Sequence, residues 1–286
     1  MANHIEIPFS KFHGLANDFI VAEAQGLPGR LPQLARSICE RHTGVGADGF
    51  LVVMPSRHKK HQARVRFFNA DGSEAEMSGN GIRCVAAFLL ARAATKGILR
   101  IETAAGVKSL RLVKSARGKS TFRVAMGRPV LKPAQIPITG RQSASPVVGF
   151  PLETSGGPLP VTLTSMGNPH CTVFVRDFGA INWRSLGREI EANPLFPHRT
   201  NVEFVKVLST SEIEVRFWER GVGETMSSGT GSCAAAVACV LNRRTGRKVC
   251  VQTPAGLLEV TWPARGDVFL TGPVELIARG TYHYRG

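Results

Sequence analysis

Two short turns, Ser78-Gly79-Asn80-Gly81 and Ser228-Gly229-Thr230-Gly231, each stand directly before an Ala-rich stretch of helical character. A Gly-rich turn that opens a helix leaves backbone N–H groups unpaired, with the positive end of the helix dipole behind them. Gly79, Asn80, Gly229 and Thr230 are therefore candidate cradles for a carboxylate or phosphate. Taken singly, Ser78 and Ser228 are explained as helix N-caps. Asn17, Asn69, Asn168 and Asn201 lie in or beside loops flanked by apolar runs, and Glu219-Arg220 follows an apolar strand directly. A loop Asn is usually turn chemistry. Recurrence of these residues at matching places in two halves of the chain points instead to a small polar ligand.

That recurrence is a repeat. Residues 65–81 align without a gap on residues 215–231, and Thr103-Ala104-Ala105-Gly106 falls on Thr253-Pro254-Ala255-Gly256 at the same spacing. In each copy a β-rich run (residues 65–68 and 213–218) leads into the Gly-rich turn. A helix follows (82–94 and 232–242), then a further strand (98–103 and 248–253) and more alternating segments. The pattern predicts an α+β chain of two pseudo-symmetric domains, each a mainly antiparallel sheet wrapped around or covering one long helix. Residues 132–157, rich in Pro, Gly and Ser, read as the crossover between them.

The 286 residues are 43% hydrophobic and 20% charged, ordinary globular composition. The longest apolar stretches, residues 84–91 and 233–241, fall far short of the ~20 residues that span a bilayer. The opening MANHIEIPFSKFHG lacks the basic-then-apolar pattern of a signal peptide, so a cytoplasmic protein with no membrane partner is expected. Six cysteines are too sparse for a disulfide framework and read as reduced thiols. A net charge of +15 raises a polyanionic partner. The charge is spread along the chain, however, and its densest run, residues 57–64, reads as a solvated loop, so no nucleic-acid partner is expected. Cys39-Glu40-Arg41-His42 has the spacing of half a metal site but no second half, and no phosphate-loop Lys motif occurs; neither a metal nor another cofactor is expected.

At this point the residues carry a resemblance. The blocks Lys11 to Phe19, Arg41 to Gly49, Phe68 to Ser73, Gly79 to Cys84, Met166 to His170, Glu219 to Thr225 and Gly229 to Ala236 are similar, in order, to those of the diaminopimelate epimerases. These belong to the pyridoxal-phosphate-independent amino-acid racemases. The resemblance implies two pseudo-symmetric domains, each a β-barrel-like sheet around a central helix, with the substrate in the cleft. Expected boundaries are residues 1–127, completed by 276–286, and 128–275. It implies interconversion of LL- and meso-2,6-diaminopimelate in lysine and peptidoglycan precursor synthesis. Asn17, Asn69, Asn168, Asn201, Glu219 and Arg220 would contact the amino and carboxylate groups, and the N–H groups at Gly79, Asn80, Gly229 and Thr230 would hold the reacting carboxylate. A homodimer is also implied, although the tail at residues 275–280 lacks a Tyr that some members carry there.

The chain departs from the family where the chemistry is done. Family members invert the α-carbon with two cysteines, and those positions are Ser78 and Ser228 here. His170 and Glu219 resemble residues that tune the proton affinity of the pair. A thiol has a reference pKa of ~8.5 and a hydroxyl is a far weaker acid, so activity is expected to be impaired. A deliberate double Cys→Ser replacement and a natural serine-bearing relative both fit the sequence. Two other readings stay open: a catalytically silent diaminopimelate-binding relative, and an isomerase or dehydratase of another small amino acid. The Asn, Glu and Arg set for a second charged end argues against a monocarboxylate. Gly49 stands where many members have a Gln that touches the distal end of the substrate, which leaves distal recognition open.

Overall fold

The computed structural model describes residues 4–92, 97–139 and 146–285. It divides into two compact units, Met1–Val124 with Gly272–Gly286, and Ala125–Thr271. Unit 1 contains β1 (His4–Gly14), β2 (Asn17–Glu23), α1 (Leu31–Cys39), β3 (Gly49–Met54), β4 (Ala63–Asn69), β5 (Glu74–Ala75), α2 (Gly79–Arg92), β6 (Ile98–Thr103), β7 (Gly106–Ala116) and most of β8 (Lys119–Gly127). Unit 2 contains β9 (Val147–Thr154), β10 (Gly157–Ser165), β11 (Pro169–Phe174), α3 (Trp183–Glu191), β12 (Asn201–Ser209), β13 (Glu212–Glu219), β14 (Gly223–Thr225), α4 (Gly229–Leu241), β15 (Lys248–Thr253) and β16 (Gly256–Thr261). The last strand, β17 (Val268–Arg285), begins in unit 2 and ends in unit 1.

In unit 1 the pairing runs β17-β1-β2-β3-β4-β6-β7-β8 and returns to β17, closing an eight-stranded barrel. The β2–β3 and β4–β6 pairs are parallel. Unit 2 repeats the order as β9-β10-β11-β12-β13-β15-β16-β17, with β11–β12 and β13–β15 parallel. The parallel pairs occupy equivalent places, as expected of duplicated halves.

Burial explains the sequence patterns. Strand β4 (ARVRFFN) alternates, with Ala63, Val65 and Phe67 buried between half-buried Arg64 and Arg66. Strand β3 (GFLVVM) is buried along almost its whole length because α1 and α2 both pack on it. A strand covered on both faces reads as a continuous apolar run rather than an alternation. Helices α2 and α4 are buried on nearly every side over their N-terminal halves, the mark of a core helix, and are Ala-rich apart from Asn80, Arg83, Thr230 and Ser232. Helices α1 and α3 are instead amphipathic, burying Leu34, Ala35 and Ile38, and Trp183, Gly187 and Ile190 respectively. Each fully buried Phe or Leu in these shells, such as Phe50, Phe204 or Leu34, contributes about 1.5–3 kcal/mol.

One expectation is corrected. Residues 132–157 are not wholly a crossover, since Val147–Thr154 forms β9 and pairs with β10. Prolines and glycines signalled a linker, but Pro151 and Pro160 face each other at the edge of the run, where a missing N–H is tolerated. Residues 93–94 of the expected first helix lie outside the described residues.

Candidate functional site

The half-site of unit 1 is built at the N-terminus of α2. Ser78 caps it: its Oγ accepts from the Gly81 N–H at 3.1 Å. Asn80, 3% exposed, turns its side chain inward and is used up there. Its Nδ2 donates to Asn17 Oδ1 at 3.2 Å, and its Oδ1 accepts from the Arg83 guanidinium at 2.7 Å. Asn17 in turn donates through Nδ2 to the Asp48 carboxylate at 2.8 Å. A cation at one end and an anion at the other fix which way both amides point. Whatever Asn80 offers a ligand is therefore its backbone N–H. Asp48 is itself held by Arg41 at 2.7 Å. Neighbouring Asp18 stays below the usual carboxylate range although burial works the other way, because Lys11, the Asp48 N–H and Arg41 all bond it. Asn69, exposed at the end of β4, bonds Ser73 within its own turn.

The half-site of unit 2 is built at the N-terminus of α4 and carries a different set of groups. Ser228 again caps its helix, accepting from the Gly231 N–H at 3.2 Å. Its own hydroxyl donates to Glu219 Oε2 at 3.2 Å, while Glu219 Oε1 accepts from Thr225 Oγ1 at 2.6 Å. Burial pushes the Glu219 carboxyl above its ordinary range, opposed by those two hydrogen bonds and by the nearby His170. A carboxylate so placed is a better proton acceptor than an exposed Glu. His170 is fully buried between Asn168 Oδ1 at Nε2 (3.0 Å) and Glu203 Oε1 at Nδ1 (2.6 Å).

Asn201 is 5% exposed, and both ends of its amide act as a clamp. Nδ2 donates to the Pro169 carbonyl at 2.8 Å, and Oδ1 accepts from the Arg220 N–H at 3.0 Å. The same loop is held from below by Glu191, which accepts from the Gly221 N–H and from Trp218 Nε1, both at 2.8 Å. The Arg220 side chain is exposed and reaches the His198 carbonyl.

The structure thus joins Asn17, Asn80 and the α2 turn in unit 1. In unit 2 it joins Ser228 with Glu219, Asn168 with His170, and Asn201 with the Arg220 backbone. No thiol stands at either serine. Burial pushes Cys39, Cys84 and Cys239 up to about 12 and Cys171 well above the usual thiol value, so none of these four supplies a thiolate at neutral pH. Cys39 is buried at the end of α1 while His42 is exposed, and no cluster of metal-ligating side chains occurs among the described residues.

Sequence reasoning passed over Glu203, Asp48, Arg83 and Glu191. Glu203 had a signal: it is the single charge inside the apolar run Val202-Glu203-Phe204-Val205. Arg83, fully buried in α2 among the Gly79, Asn80 and Pro273 oxygens, was a charge inside a core helix.

Comparison with known proteins places this geometry in a family. The family model of diaminopimelate epimerase matches residues 9–132 and 162–277. The diaminopimelate epimerase of Pelotomaculum thermopropionicum is 47% identical over 281 residues, covering 97% of this chain and 99% of the relative. That of Moorella thermoacetica is 46% identical over 278 residues, covering 96% and 98%. Among solved structures, a hydroxyproline epimerase from Agrobacterium vitis superposes with a TM-score of 0.72 at 16% identity, covering 100% of this chain and 95% of the other. A methylitaconate-delta-isomerase does so with 0.69 at 16%, covering 99% and 97%. At such identity these two share the fold alone, and it is the full-length sequence match that decides: the chain belongs to the diaminopimelate epimerase family.

Proposed function

We propose that the protein interconverts LL- and meso-2,6-diaminopimelate without a cofactor, with Ser228 and Ser78 as the two groups that remove and return the α-proton. The observation that carries this reading is the Ser228 hydroxyl donating to Glu219 at the head of α4. In the forward step Ser228 Oγ takes the α-proton as its own proton passes to Glu219. The α-carbon is left as a carbanion conjugated with its carboxylate. Backbone N–H groups at Gly79, Asn80, Gly229 and Thr230 stabilise that charge where it develops. Ser78 then returns a proton to the opposite face and regains one from solvent. Asn17, Asn69, Asn168, Asn201 and Arg220 supply the hydrogen bonds and positive charge for the amino and carboxylate groups, and His170 and Glu219 set the proton affinity at Ser228.

A hydroxyl paired with a carboxylate is a weaker base than a thiolate, so turnover is slow by the standard of a thiol pair. Relatives named as epimerases favour turnover over a silent binder. Work in lysine and peptidoglycan precursor synthesis, as a cytoplasmic homodimer, completes the proposal. Incubating purified protein with the LL isomer and separating stereoisomers by chiral chromatography tests it. The meso form is expected to accumulate; unchanged LL substrate after prolonged incubation contradicts it.

A further inference from the structure

Sheet register aligns the two half-sites residue by residue, and their chemistry differs. Gly231, the third residue of α4, has Glu203 Oε1 and the Phe217 ring against it, each 3.0 Å from where a Cβ would stand. Gly81, the third residue of α2, has Leu51 and Phe67 in those places. The ladders likewise set His170 at the position of Phe19 and Glu219 at that of Asn69. Unit 2 thus carries three titratable groups where unit 1 carries two apolar side chains and an amide.

Glu203 is 1% exposed, on a strand covered on both faces by α3 and α4. Its Oε1 lies 2.6 Å from His170 Nδ1, and its Oε2 has no hydrogen-bond partner among the described residues. His170 Nε2 faces Asn168 Oδ1, which only accepts, so Nε2 carries a hydrogen. One further proton then sits between Nδ1 and Oε1, and the pair is neutral overall whichever atom holds it. An ionised carboxylate with an orphaned oxygen is costly in a dry site, which favours the proton on Glu203 at rest. Burial, against the pull of His170 and with Glu219 adding to it, raises the Glu203 carboxyl in the same direction. The other titratable group against it, Cys171, is neutral.

We infer that Glu203 is a positioning residue for the reaction: it holds His170 as the Nε2–H form and hands it a proton across their short hydrogen bond when the substrate carbanion develops beside Ser228. The proton leaves Oε1 and binds Nδ1, giving a carboxylate and an imidazolium while no net charge enters the buried site. This rests on the proposed epimerase reading, and it gives the Ser228 side a proton reserve for which the Ser78 side has only apolar counterparts.

The test combines Glu203→Gln kinetics with ¹⁵N NMR of histidine-labelled protein. Gln matches the shape of Glu but has no acidic proton to transfer. In the wild type, His170 Nε2 is expected to be protonated and Nδ1 to resonate between its neutral and protonated values. In E203Q the Nδ1 signal moves to the ordinary neutral value. Its kcat falls by about tenfold to a hundredfold, the order seen when the outer partner of a metal-bound histidine is lost, with KM within about twofold. Unchanged kcat in E203Q overturns the inference, as does an ordinary neutral Nδ1, a resting imidazolium or an Nδ1–H form in the wild type. If the wild type shows no turnover, the function proposed above fails, and the NMR arm still decides the shared proton.

Discussion

Replacing Glu219 with Gln separates catalysis from stability at one residue. The carboxylate accepts from Thr225 at 2.6 Å and from Ser228 at 3.2 Å, and Gln keeps its size and one accepting oxygen. It cannot take a proton from Ser228. General acid–base catalysis contributes ~10² to 10⁴-fold, so kcat should fall by that factor, equivalent to about 3–5 kcal/mol at 1.36 kcal/mol per decade. Stability should move the opposite way. Burial raises the Glu219 pKa, so the folded state binds more protons than the unfolded chain between the two pKa values, and stability falls as pH rises through that window. Above the raised pKa the whole penalty is present. Gln resembles the neutral acid and escapes it, despite exchanging two charge-assisted hydrogen bonds for ordinary ones that are weaker by about 1 kcal/mol each. The variant should therefore melt at higher temperature than the wild type at pH 8, by about 2–4 °C for each kcal/mol, with the difference shrinking towards pH 4. Calorimetric melts at both pH values, beside α-proton exchange rates, read both effects. A kcat within threefold of wild type refutes the proton-acceptor role, and a lower Tm at pH 8 refutes the electrostatic argument.

Ser78→Cys with Ser228→Cys should raise the epimerisation rate by up to ~10² to 10⁴-fold, since a helix N-terminus lowers a thiol pKa. Of the two single variants, Cys at 78 should ionise at lower pH, because Glu219 lies against position 228 and opposes a second negative charge; thiolate absorbance during a pH titration checks the order. Asp48→Ala removes the anion that orients Asn17, so KM should rise by about tenfold or more while kcat changes less, and a proportionate fall in kcat contradicts the role given to Asn17.

Much of this was legible in the sequence because duplication leaves a regular trace. The matched runs at residues 65–81 and 215–231 place β4 and β13, both Gly-rich turns and both core helices, and the Ala-rich composition of α2 and α4 marks them as helices that a sheet covers. Prolines and glycines at residues 132–157 disguised β9, since turn residues at the edge of a sheet look like those of a linker. Partners across strands were hidden for a different reason. Glu203 meets His170 only because β11 and β12 run parallel in a particular register, and Asp48 meets Asn17 through the β2–β3 pairing. The double use of Asn201 as a clamp likewise needed the starts of β11 and β12 and the turn after β13 brought together by the fold.

The central claim is that serines, aided by the partly buried Glu219 carboxylate, carry out the proton exchange of this family. Incubating the wild-type protein with LL-diaminopimelate in D₂O and following both deuterium at the α-carbon and the stereoisomer ratio tests it most directly. Slow incorporation at an inverting centre, with the mixture moving towards the meso form and the Ser228→Ala variant silent, is the result this account requires. No incorporation by the wild type, or full activity in the Ser228→Ala variant, would contradict it.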